Sequence, residues 1–161
     1  MTWPDFVVIV LCVLLGIVES KRGFVVAFFD MIGAIIVLEL TATSYLGLVS
    51  PSLSYCAAYL VAFLVGIAIL GVLTSLLKRY TQFDIGSFDS PLGGLLGVFT
   101  ALVLSHAMYG AVILGYGGKN APVYTGSLFA SQIYDLNAVH GFLDFMGKIG
   151  SSDIGSRTSK S

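Results

Sequence analysis

The chain has 161 residues, 57% of them hydrophobic and 11% charged, and carries a net charge of −1. Ordinary soluble domains hold about 25% charged residues, so this chain lacks the polar surface that a water-soluble fold needs. The absence of a basic excess argues against a nucleic-acid partner, and the lipid bilayer becomes the expected surroundings.

Four apolar stretches, at about residues 3–20, 23–40, 55–77 and 92–116, have the length that crossing a hydrocarbon core of ~30 Å demands. The first follows Trp3, suited to an interfacial anchor, and Pro4, suited to a first helical turn. A cleaved signal peptide fits this stretch poorly, because Met1 to Asp5 carries an acid and no Lys or Arg. Glu19 to Gly23 reads as a short basic hairpin into the second stretch, which contains Asp30 and Glu39. Thr41 to Ser54, with Gly47, Ser50, Pro51 and Ser52, reads as a turn-rich loop. The third stretch, Tyr55 to Leu77, is the longest apolar run and closes on Lys78 and Arg79.

The fourth stretch organises the rest. Gly93, Gly97, Ala101 and Ser105 fall four apart and so share one side of a helix that is otherwise nearly all apolar. Such a bare stripe lets a neighbouring backbone approach closely, which is a main attraction between helices in lipid. Asp89 or Ser90 supplies an N-cap and Pro91 a first-turn residue, while Gly117, Gly118 and Pro122 end the helix. Residues 123–148 alternate Phe129, Ile133, Leu136, Val139, Leu143 and Met146 with polar residues, the pattern of an amphipathic interfacial helix. Residues 149–161 are Ser-rich and read as a disordered tail. The expected fold is therefore an all-α polytopic membrane protein with four transmembrane helices and a C-terminal amphipathic helix.

Lys21, Arg22, Lys78 and Arg79 all flank the first and third loops. The positive-inside rule places those loops in the cytoplasm and both termini outside.

Intramembrane polar groups are functional candidates because hydrocarbon penalises them. At 1.5 Å per residue from the cytoplasmic end, Asp30 lies about 10 Å deep, Thr100 about 12 Å, His106 about 21 Å and Glu39 about 24 Å. These depths predict an Asp30–Thr100 hydrogen bond and a Glu39–His106 pair, with Glu39 alternatively bending out to the interface. On the cytoplasmic side, an Arg22–Asp89 ion pair is expected to lock two loops together. Cys12 and Cys56 read as small buried apolar side chains. With two His and two Cys lacking ligand spacing, no metal site is expected, and the absence of phosphate-loop, zincin or nucleophile-elbow motifs argues against an enzyme and a cofactor.

Trp3-x-Asp5, then Arg22-Gly23-Phe24, then Asp89-x-x-Leu92-Gly93-x-x-x-Gly97-x-x-x-Ala101, and finally Tyr124-x-x-Ser127-Leu128 stand in a fixed order across residues 3 to 145. In order and spacing the chain resembles the colicin V production protein family of bacterial inner-membrane proteins. It departs from the family's usual pattern at Val25, Val26, Ala27 and Thr100, where charged residues are common. The resemblance implies an inner-membrane protein that supports production or export of a peptide toxin and envelope homeostasis, and it implies no reaction. Two readings follow: an interaction or assembly factor with membrane or periplasmic protein partners, or a small oligomeric transporter or channel using Asp30 and His106.

Overall fold

The computed structural model describes residues 1–51, 53–80 and 86–135. Four long helices form one bundle: α1 (Trp3–Arg22), α2 (Phe24–Ser44), α3 (Tyr55–Tyr80) and α4 (Asp89–Tyr116). Single-turn helices α5 (Pro122–Thr125) and α6 (Ala130–Ile133) follow. All four long helices are long and apolar enough to cross a membrane, and the chain is accordingly a multi-pass membrane protein by length and composition.

The centre of the bundle is α4. Half of its apolar window is buried, against 11% for α3, 22% for α1 and 28% for α2. The small side chains explain this: Gly93, Gly97, Ala101 and Ser105 are all buried, as are Ala107, Gly110 and Ala111. A β-carbon on Gly93 would stand 2.6 Å from Glu19 O, and one on Gly97 would overlap Leu15 O and lie 2.8 Å from Glu19 Cβ. The backbones of α1 and α4 therefore touch directly, which only glycine permits. By contrast, Leu64, Val65, Ile69, Val72 and Leu73 of α3 are exposed, the outward apolar face that hydrocarbon requires.

Three boundaries differ from the sequence reading. The basic hairpin is absent, because α1 runs through Arg22 and Gly23 alone separates it from α2. Gly23 makes that corner possible with φ of +91°. The second loop is shorter than expected: α2 continues to Ser44, and a 3-10 turn covers Tyr45–Leu48. The amphipathic helix expected at 123–148 is, as far as residue 135, two single turns broken at Gly126–Phe129. The rest of that helix and the tail at 149–161 lie outside the described residues.

Candidate functional site

Two polar knots occupy opposite ends of the bundle. At the N-terminal end of α1, Asp5 is completely buried. Thr2 N–H donates to its Oδ2 at 2.8 Å, the reach-back half of a capping box. The Tyr109 hydroxyl, on a fully buried side chain of α4, donates to Oδ1 at 3.2 Å. Leu128 N–H and Phe129 N–H each donate at 3.3 Å, and the Ser127 hydroxyl donates to Oδ1 as well. Ser127 Oγ also accepts from Ala130 N–H at 3.1 Å, which caps α6. Asp5 thus accepts from three segments, and the break at Gly126–Phe129 turns backbone donors toward it.

Next to this knot, Asp135 accepts from the Tyr124 hydroxyl at 2.8 Å and from Lys119 Nζ. These two donors hold the Asp135 carboxyl below the ordinary carboxylate range. The same contact raises Lys119, and burial together with the Asp135 bond pushes the Tyr124 phenol up.

At the other end, Arg22 joins three helices. Its Nη1 donates to Glu19 Oε1 at 2.8 Å and also to Asp30 Oδ2, while Nη2 donates to Thr74 Oγ1 at 3.2 Å. Glu19 and Asp30 are buried, and among the described residues Glu19 Oε2 has no hydrogen-bond partner. Beside them, Asp89 Oδ1 accepts Phe24 N–H at 3.0 Å, and Ser20 and Ser90 hydroxyls meet at 2.6 Å.

Several expected pairings are corrected. Asp30 bonds Arg22 rather than Thr100, whose hydroxyl instead donates back to Leu96 O at 3.0 Å within its own helix. Arg22 accordingly turns inward and does not pair with Asp89, which caps α2. Glu39 and His106 line one cavity of about 260 Å³ with Tyr45, Tyr59 and Tyr134, but no hydrogen bond joins them. His106 Nδ1 instead meets Ile133 O at 3.0 Å, and its ring stacks on Tyr134 at 4.9 Å. Cys12 and Cys56 are half-buried free thiols, and Cys56 Sγ donates to Ala111 O at 3.3 Å. Among the described residues, no group of three or more His, Cys, Asp or Glu is placed to hold a metal ion.

Glu19, Thr74, Tyr109 and Asp135 are among the participants that sequence reasoning missed. Glu19 stands three residues before Arg22, the spacing at which helical ion pairs form, and that was the available signal.

Searches against protein-family models, curated proteins and solved structures find no match to this chain.

Proposed function

We propose that this multi-pass protein resides in a bacterial inner membrane and acts as an interaction or assembly factor of the colicin V production type. In this reading it supports peptide-toxin export and envelope homeostasis without catalysing a reaction. One observation carries it: the pieces behind the resemblance meet in pairs. Asp5 of the first piece binds Ser127 and Leu128 of the last. Phe24 of the second is capped by Asp89 of the third. Contacts that close 65 and 122 residues of sequence give such separated pieces a physical reason to occur together in one chain.

The transporter reading draws less support. Asp30 and His106 lie about 16 Å apart along the bundle, counted from the paired starts of α2 and α4. Each has its own partners, Arg22 for one and Ile133 O with Tyr134 for the other.

In this orientation, loops one and three face the cytoplasm and both termini the periplasm. The exposed residues Trp3 and Leu128 then offer periplasmic contacts and Lys21 a cytoplasmic one. Photo-crosslinking from these three positions in native membranes, followed by partner identification, is expected to recover export or envelope proteins. Toxin output should fall in cells lacking the chain and return with it. Solute flux through vesicles containing only the purified chain would overturn the reading.

A further inference from the structure

The knot around Arg22 has an unbalanced charge count. Two carboxylates, Glu19 and Asp30, bind the same guanidinium nitrogen, so the ionised cluster of these three side chains sums to −1, with both acids buried. Glu19 is 2% exposed and Asp30 6%. The groups facing the pair come from every helix. Arg22 comes from α1, the Thr74 hydroxyl from α3 and the bare backbone at Gly93 and Gly97 from α4, whose nearest acid, Asp89, is spent on Phe24 N–H. Among the described side chains, none of those bonded to the pair or to Arg22 adds a second positive charge. Meanwhile Glu19 Oε2 is buried with no hydrogen-bond partner among the described residues. A lone buried carboxylate oxygen is costly, and neighbouring carboxyls in one site relieve the cost by holding a proton.

We propose that Glu19 and Asp30, bridged by Arg22, form a binding site for one proton, carried on Glu19 Oε2. The proton comes from water and only one O–H bond is made. A metal cation is disfavoured because the Arg22 guanidinium already occupies one oxygen of each carboxylate. The backbone of α4, seated on Glu19 O and Cβ, closes the other side. With the proton in place the cluster is neutral, and α1, α2 and α3 are tied at one point. Release of the proton exposes the packed helices to one uncompensated negative charge, so this site couples proton occupancy to helix packing.

Infrared spectroscopy on the full chain in lipid nanodiscs tests this. The chain contains only two glutamates, Glu19 and Glu39, so carboxyl-¹³C glutamate labels few groups. At neutral pH the wild type should show a protonated-carboxyl C=O band that shifts on glutamate labelling. The band should persist in Glu39→Gln and vanish in Glu19→Gln. Asp30→Asn should also abolish it, because the remaining Glu19 then forms a simple pair with Arg22. Arg22→Gln should roughly double the carboxyl signal. A folded wild type without such a band, or a band that glutamate labelling leaves in place, overturns the proposal without need of any variant.

Discussion

The Asp89 carboxylate accepts the Phe24 N–H at 3.0 Å and closes a gap of 65 residues at the start of two helices. It fits only because Gly23 has no side chain: a β-carbon there would overlap Asp89 Oδ2, and its φ of +91° is one that other residues rarely adopt. Capping and corner are thus one device.

Gly23→Ala is expected to lower stability by about 2–3 kcal/mol, from backbone strain and the displaced cap together. Asp89→Ala should cost about 1 kcal/mol, and Asp89→Asn, which keeps an acceptor oxygen, less. Equilibrium unfolding in mixed detergent micelles ranks the three. Equal losses for all would refute the shared-device account.

The glycine stripe gives a contrast within the chain. Gly97→Leu places atoms on the Leu15 backbone and against Glu19 Cβ, which cannot yield as a side-chain tip does. A loss of about 3 kcal/mol or failure to assemble is expected. Gly71 has nothing within 4 Å of its β-position, so Gly71→Ala should be neutral or stabilise by up to ~1 kcal/mol. Folded yield and thermal unfolding of both variants check the pair.

Asp5→Ala removes the acceptor of Thr2 N–H and Leu128 N–H, and leaves the buried Tyr109 hydroxyl and Phe129 N–H only Ser127 Oγ as partner. Since each unsatisfied donor costs about 1–3 kcal/mol, a loss of at least ~2 kcal/mol is expected. Limited proteolysis should then cut near Ser127 faster than in the wild type, where Asp5 holds the backbone at Leu128 and Phe129. Asp5→Asn should fall between the two, since it accepts but carries no charge.

Acid should loosen the attachment of α5. Asp135 titrates lower when folded than when unfolded, because Lys119 and Tyr124 donate to its charged form. Its contribution is present above the unfolded value of about 3.9 and is lost as pH falls through the depressed folded one. Hydrogen exchange at Tyr124 should therefore accelerate in strong acid, and Asp135→Asn should flatten that dependence.

The four spans were legible because hydrophobic length is a local property, and the Gly93–Gly97–Ala101 spacing announced a close approach without saying to what. The partners of charged residues were not legible. Depth along a helix put Asp30 level with Thr100, but depth says nothing of the direction a side chain takes. Arg22, read as a loop residue, turned inward once α1 extended to include it. The periodicity at 123–148 suggested a continuous helix because apolar spacing ignores hydrogen-bond demand. The backbone at Leu128 and Phe129 is pulled out of helix to serve Asp5. Asp5 stood out in the sequence only as an acid ahead of the first stretch and as part of Trp3-x-Asp5, although Thr2 three residues earlier is the signal for its capping role.

The contact between Asp5 and Ser127 imposes a parity rule on biogenesis. Four crossings separate the two residues, and an even count alone returns the polypeptide to the side from which it started. A nascent chain that skipped or added one crossing would leave acid and hydroxyl on opposite faces of the bilayer. The knot can therefore close only after correct insertion of the last helix, and its closure distinguishes finished molecules from misrouted ones.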